Sequence, residues 1–366
     1  MLQTYNLNIA EYNAFEHVVF TMTETKLIDS LAGLLPQEIC ERFEIKPMFR
    51  GKQIFKWVSA GISSFSQMTN LSLELRQTLE EKTCIHSSKV SKILRDPDGT
   101  VKLQLTLQDG LAVETVLLTD KEGRKTACVS CQVGCPMGCA FCRTGEMGFT
   151  RNLLPCEIVE QFLFLEKEAG TLSNIVFMGM GEPMLNLNAI RKAVEILTHK
   201  DGRALSARRL TLSTSGVVKG IYDLADNGPL MRLAVSLTTA DHALREKLMP
   251  VEKQFNLSEL REAIKYYAEK TGRRVTLEAA LMSGVNTGAE SAGNMIAFAK
   301  GMNVNINLIP WNPIGDLPFK TPGTEECHRF VSLLEKAGLN VTLRARRGRK
   351  IGGACGQLGI SKPKTD

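Results

Sequence analysis

From about residue 125 onward, short apolar segments alternate with amphipathic helical stretches. Strand candidates fall at 128–134, 174–179, 209–214, 232–237, 274–280, 304–309 and 340–344. Helix candidates fall at 154–169, 187–199, 217–226, 257–271, 287–301 and 324–337. Helices between successive strands carry the chain back so that the strands run parallel. Repeated about six times, the alternation predicts an α/β fold, a partial (β/α)6 TIM-like barrel over about 125–345. Barrels of this kind build their sites at the carboxyl ends of the strands. The spacing is too irregular for a solenoid.

The preceding chain reads differently. Residues 1–24 are acidic and polar, an N-terminal extension. Residues 25–90 read as a helical accessory domain, with Ile54, Trp57 and Val58 on one face and Ser72 able to cap a helix carrying Leu75 and Leu79. Over 91–124 the period becomes two: Val101, Leu103, Leu105 and Leu107 alternate with Lys102, Gln104 and Thr106. Asp109-Gly110 supplies a turn and Val113 to Leu118 a return strand, so a β-hairpin linker is expected. The segment 346–366 reads as a C-terminal loop.

Composition excludes several classes. With 43% hydrophobic and 23% charged residues, the 366-residue chain can bury a core and is neither disordered nor fibrous. A run of about 18 apolar residues, as a membrane span needs, does not occur. The first basic residue is Lys26, and Glu11 and Glu16 interrupt the apolar stretch before it. This differs from a secretory leader, so a cytoplasmic location is expected. The net charge of +6 permits a nucleic-acid partner without requiring one.

Five of the ten cysteines, Cys128, Cys131, Cys135, Cys139 and Cys142, lie within fifteen residues. Clustered cysteines in a reducing compartment point to metal or redox chemistry. Cys135-Pro-Met-Gly-Cys139-Ala-Phe-Cys142 is a C-x3-C-x2-C arrangement. Three thiolates on one loop can hold three corners of an iron–sulfur cube and leave the fourth iron open to a ligand. The alternative is a closed structural zinc site completed by Cys128 or Cys131, in an RNA-binding protein without turnover.

The cysteine motif, with Phe141 before its last member, resembles the radical S-adenosylmethionine enzymes. Cys128-Val-Ser-Cys-Gln-Val-Gly-Cys135, Gly148-Phe-Thr-Arg-Asn-Leu153, Gly179-Met-Gly-Glu-Pro-Met-Leu-Asn186, Thr211-Leu-Ser-Thr-Ser-Gly-Val217 and Ala354-Cys-Gly-Gln-Leu358 occur in the order of the RlmN/Cfr family. The segments Phe49-Arg-Gly-Lys-Gln-Ile-Phe-Lys-Trp57 and Met68-Thr-Asn-Leu71 resemble its RlmN branch. The likeness spans about 30–360.

The resemblance implies a radical S-adenosylmethionine methyltransferase acting on C2 of an adenosine. The substrates it implies are 23S rRNA at the peptidyl transferase centre and a tRNA adenosine next to the anticodon. The ring carbon C2 is electron-poor, and a methyl sulfonium is an electrophile, so polar transfer is mismatched and the cofactor must supply the hard step. By the resemblance Cys135, Cys139 and Cys142 bind one [4Fe-4S] cluster per subunit. Two molecules of S-adenosyl-L-methionine are consumed per methylation, in a site of Gly181, Glu182, Ser213, Ser236, Leu237, Thr238 and Asn312. Cys355 accepts a methyl group and becomes S-methylcysteine. Cys128 resolves the protein–RNA adduct through a transient disulfide with Cys355, and Glu114 is the proton acceptor. A reductant such as flavodoxin and a monomeric state are also implied. The near alternative within the family is Cfr-like methylation at C8 of the same rRNA adenosine.

Residue physics alone gives several of these positions a plainer reading. Cys355 lies in Gly352-Gly-Ala-Cys-Gly356, a flexible loop able to reach a barrel mouth, yet a lone cysteine is commonly a small buried hydrophobe. Glu114 alternates with Val113 and Thr115, which reads as a solvated glutamate. Glycines at 179 and 181 would let backbone approach a ligand closely. Arg344, Arg346, Arg347, Arg349 and Lys350 place five cations in seven residues just before Cys355, a candidate phosphate-binding surface. Arg208, Arg209 and Lys52 are weaker candidates. Three positions depart from the family pattern: Cys131 where serine is common, Thr238 where histidine is frequent, and Arg349-Lys350 where an acidic residue often stands.

Overall fold

The computed structural model describes residues 28–360, so the extension 1–24 and the last six residues lie outside it. The chain opens with three helices, α1 (Pro36–Arg42), α2 (Phe49–Ser59) and α3 (Leu73–Lys82). Ser72 caps α3, its hydroxyl accepting from the Leu75 amide at 3.3 Å. Ile54 and Val58 of α2 and Leu79 of α3 are buried, as their helical spacing predicts. A carboxylate staples this module to the barrel. Glu160 is buried and accepts from the Ser30 hydroxyl at 2.7 Å and from the Ser87 and Ser88 amides at 2.6 and 2.8 Å.

The β segment is larger than a hairpin. Strands β1 (Lys89–Arg95), β2 (Val101–Thr106) and β3 (Ala112–Thr119) run antiparallel. β1 is mostly exposed, which is why its alternation is faint in the sequence. The turn after β2 forms as expected, with the Leu107 amide donating to Leu111 O at 2.8 Å and Gly110 at φ +82°. β3 then pairs antiparallel with β4 (Lys125–Cys128), so the segment continues the barrel sheet.

The expected strand at 128–134 is split in two. β4 ends at Cys128, the chain turns at Ser130 and Cys131, and Gln132–Gly134 forms β5, which pairs with β6 (Phe149–Asn152) in a separate two-stranded sheet. Gly134, at φ +77°, marks the close crossing: a Cβ there would fall on Gly148 O. The loop between β5 and β6 carries the three-cysteine motif and the short helix α4 (Arg143–Glu146).

The alternation then proceeds as predicted. It runs α5 (Pro155–Ala169), β7 (Asn174–Phe177), α6 (Leu187–Thr198), β8 (Leu210–Thr214), α7 (Val218–Asn227) and β9 (Arg232–Ser236). An additional short helix α8 (His242–Leu248) precedes α9 (Leu257–Thr271). The chain closes with β10 (Val275–Leu281), α10 (Ala289–Ala299), β11 (Val304–Pro310), α11 (Thr324–Lys336) and β12 (Asn340–Leu343). Strands β4, β7, β8, β9, β10, β11 and β12 are neighbours in that order, each pair parallel. Six β/α units plus a final strand thus make an open, partial barrel. Its first and last parallel strands face one cavity, which Cys128 and Arg344 both line. No helix among the described residues is long and apolar enough to cross a membrane.

Candidate active site

The catalytic, cofactor and cluster candidates, Glu114 apart, come from carboxyl ends of strands or the loops beyond them, whereas Lys52 lies on α2 and Arg208 and Arg209 precede β8. Cys128 ends β4, Gly181 and Glu182 follow β7, and Ser213 lies one residue before the end of β8. Ser236 ends β9, Leu237 and Thr238 follow it, and Asn312 lies two residues beyond β11. A cavity of about 120 Å3 at this end is lined by Cys128, Cys142, Met178, Asn312, Arg344 and Cys355, among others.

The three motif cysteines are partly buried on the loop between β5 and β6. Burial raises all three thiols above their ordinary value; neighbouring motif thiols add to the rise at Cys135 and Cys139, and Glu146 adds to it at Cys142. Among the described residues no three His, Cys, Asp or Glu side chains close around a point fit for one ion. Three thiolates on one loop match three corners of an iron–sulfur cube and are one ligand short of a closed structural zinc site, so the donor set fits a cluster with an open corner. One buried polar atom, Asn312 Oδ1, has no partner and is open to a ligand's donor, while its Nδ2 donates to Cys355 O at 3.1 Å.

The glycines after β7 serve a different approach from the one expected. A Cβ on Gly179 would lie 2.6 Å from the Ser130 hydroxyl, and one on Gly181 would lie 2.6 Å from Gln132 Cβ. They bring the backbone against residues 129–132 of the chain itself. Glu182 is buried, its Oε2 accepting from the Ser215 amide at 2.8 Å and its Oε1 from Met184 at 3.1 Å. Burial raises this carboxyl, and the Ser215 hydrogen bond opposes the rise. Thr238 adopts φ +59°, a costly conformation for a β-branched residue. It is held there by its amide bond to Glu278 O at 3.0 Å and by Asn286 Nδ2 on its carbonyl at 2.9 Å.

Cys128 and Cys355 are free thiols at the same cavity. Burial pushes Cys128 up to about 12, and Cys355 nearby adds to the shift. Cys355 is exposed to the cavity, yet the protein packed around it raises its thiol too, against the pull of the Arg344 guanidinium. Sequence reasoning had no signal for Glu278, a buried carboxylate of β10 that faces both thiols and lies 3.6 Å from Arg344. Cys131 is buried beside Glu182, away from solvent.

Glu114 is buried rather than solvated. Its Oε1 lies 2.7 Å from Lys102 Nζ and its Oε2 accepts from the Gly359 amide at 2.9 Å. β3 is covered on both faces because the C-terminal loop lies over the face that alternation assigns to water. Within the basic stretch, Arg344 faces Glu278, and Arg347 donates to Thr119 O. Arg349 and Lys350 are exposed. Burial lowers the Arg346 guanidinium, and like charge on Arg349 adds to the effect.

Residues 129–291 match the radical SAM superfamily, and residues 37–85 match the ribosomal RNA large subunit methyltransferase N-terminal domain. The chain is 56% identical over 345 residues to a Treponema denticola protein named "Probable dual-specificity RNA methyltransferase RlmN", covering 94% of this chain and 99% of that one. It is 55% identical over 330 residues to the Treponema pallidum protein of the same name, covering 90% and 97%. A crystal structure of a radical SAM methyltransferase from Sphaerobacter thermophilus superposes with a TM-score of 0.87 at 40% identity, covering 90% of this chain and 99% of that one. The chain belongs to the RlmN family of radical SAM RNA methyltransferases.

Proposed function

We propose that this protein methylates C2 of an adenosine in the peptidyl transferase centre of 23S rRNA, and of a tRNA adenosine beside the anticodon, through S-methylcysteine at Cys355. The observation that carries the reading is the shared cavity, where Cys355, Cys128, the motif cysteine Cys142 and Asn312 meet. Cys135, Cys139 and Cys142 would hold a [4Fe-4S] cluster. When bound, the cluster supplies the electron that splits S-adenosylmethionine into methionine and a carbon radical. Gly181, Glu182, Ser213, Ser236, Leu237, Thr238 and Asn312 would seat the cofactor at the strand ends.

The remaining steps belong to the chain's own groups. Cys355, as thiolate, displaces the methyl group from a first S-adenosylmethionine, with Arg344 as the cation that favours its ionised form. One hydrogen atom of the S-methyl group would pass to that carbon radical, the methylene carbon would bond to adenine C2, and the odd electron of the adduct would return to the cluster. Glu114 takes the C2 proton, and Cys128 as thiolate attacks the Cys355 sulfur; the carbon–sulfur bond breaks, the released carbon picks up a proton to become the methyl group, and a disulfide is left for external reductant. A folded RNA must unstack its adenine to reach this interior. We read residues 25–90 as the RNA-engaging module, 91–124 as linker, 125–345 as the catalytic core and 346–366 as the methyl-carrying loop. The protein would act as a monomer in the cytoplasm, with flavodoxin or a similar donor.

The testing experiment is anaerobic purification with iron and sulfide analysis, followed by nucleoside analysis of rRNA and tRNA after turnover. Iron, sulfide and 2-methyladenosine are expected. The 8-methyl isomer would make the activity Cfr-like, and zinc without iron would end the radical reading. Of the basic stretch we assign phosphate contact to Arg346 and Arg349, since Arg344 faces Glu278 and Arg347 donates to Thr119 O. Replacing both by alanine should flatten the log–log salt dependence of RNA binding by about 1.5. An unchanged slope places the RNA elsewhere.

A further inference from the structure

Lys102 of β2 and Glu114 of β3 are diagonal neighbours on one face of the antiparallel pair, since Gln104 is registered with Glu114 and Lys102 with Val116. Both are buried, with Nζ and Oε1 2.7 Å apart. A buried ion pair must offset a large desolvation cost, and joining β2 to β3 does not require one. Those strands are already registered along their whole shared length, from Val101 with Leu117 to Thr106 with Ala112.

The remaining bonding capacity of the pair goes to one place. Lys102 Nζ donates to Gly352 O at 3.1 Å, and Glu114 Oε2 accepts from the Gly359 amide at 2.9 Å. The two contacts grip the C-terminal loop on either side of Cys355. The turn between β1 and β2 holds the loop's approach, with Asp98 Oδ2 accepting from the Gly348 amide at 2.8 Å and Asp96 Oδ2 from Lys350 at 3.0 Å. From the opposite side, the Arg143 amide donates to Gly356 O at 2.8 Å and the Thr144 hydroxyl to Leu358 O at 2.6 Å. Those two donors belong to α4, directly after Cys142.

We propose that the Lys102–Glu114 pair is a clasp that positions the Cys355 loop at the cavity, with Lys102 as a positioning residue for methyl transfer. The proposal rests on the reading that Cys355 carries the methyl group. The grip is on backbone, so it sets where the loop lies whatever state the sulfur is in. Lys102 touches neither thiol nor cofactor residue, but it does touch Glu114, the proposed proton acceptor, so loop exchange, which that proton transfer does not move, is the readout that decides.

The test uses cluster-loaded full-length protein carrying Lys102→Met or Lys102→Arg. Amide hydrogen exchange over 350–360 should speed up about tenfold or more in Lys102→Met, the size expected for losing a charged hydrogen bond. Under turnover, 5′-deoxyadenosine should still form while methylated adenosine per deoxyadenosine falls about tenfold. Lys102→Arg, which keeps the charge and the donors, should restore both readouts. Should Lys102→Met fold poorly around an unpaired Glu114, the double variant Lys102→Met/Glu114→Gln removes both charges and is read by exchange alone, with faster loop exchange expected. Unchanged loop exchange in a folded variant, or an unchanged ratio of methylation to deoxyadenosine, overturns the clasp. Failure of the carrier reading itself shows separately, as methylation persisting in Cys355→Ala, and leaves the exchange result untouched.

Discussion

Cys355→Ser protein should assemble its cluster, bind RNA and form no methylated adenosine. The expected loss exceeds about a thousandfold, equal to about 4 kcal/mol or more in barrier height. The reason is chemical. A thiol with an ordinary value near 8.5 can supply a thiolate at neutral pH, whereas an alcohol stays protonated and is a poor acceptor of a sulfonium methyl. The surrounding structure sharpens this. Burial raises the Cys355 thiol, and Arg344 is the cation that opposes the rise. No such pull brings a serine hydroxyl within reach of ionisation. The substitution is nearly isosteric, and the loop's anchors through Gly352, Gly356, Leu358 and Gly359 use backbone atoms, so the fold should persist. Iron content, RNA affinity and nucleoside analysis check the three parts together. Methylation within tenfold of the native protein would remove Cys355 from the mechanism.

The sequence shows the barrel far better than it shows the chemistry at its mouth. Six β/α units are legible because each strand is a short apolar run and each helix an amphipathic stretch; α5, α6, α7 and α9 fall within a residue or two of their expected limits. The β4–β5 boundary is hidden because Cys128 to Gly134 holds no proline, asparagine or aspartate to mark a break whose cause is tertiary: Cys131 and Gln132 donate their amides to Met180 O. Glu114 misleads for a related reason. Alternation reports which side of a strand is polar, and cannot report that a loop some 240 residues later covers that side. The three-cysteine motif is local and therefore visible. That Cys128 and Cys355 meet depends on the C-terminal loop being carried back over β2 and β3 to the end of β4, and only the family resemblance anticipates it. α8 is only seven residues long and three of them are charged, so neither its existence nor the burial of its arginine is written in local pattern.

That arginine supports the second large effect. Arg245 is fully buried, with one terminal nitrogen 2.6 Å from Glu252 Oε2 and the other donating to Ser215 O at 2.7 Å, while Nε donates to Leu237 O at 3.2 Å. It therefore bridges the carboxyl ends of β8 and β9, between the candidate cofactor residues Ser213, Ser236 and Thr238. Gly216 packs over the same guanidinium, where a Cβ would lie 3.1 Å from it. Arg245→Met would leave Glu252 buried, with only the His242 ring and the Leu257 amide as partners. Stranding a buried charge in this way costs about 3–5 kcal/mol, a fall in Tm of about 5–10 °C for a domain of this size. Arg245→Met/Glu252→Gln removes the stranded charge as well and should recover most of that stability. It does not restore the ties to Ser215 and Leu237. S-adenosylmethionine binding should therefore stay weakened about tenfold in the double variant while Tm returns, a split that calorimetry and equilibrium binding resolve. Recovery of both together would reduce the pair to a fold-stabilising contact; recovery of stability alone would establish Arg245 as the brace of the cofactor site.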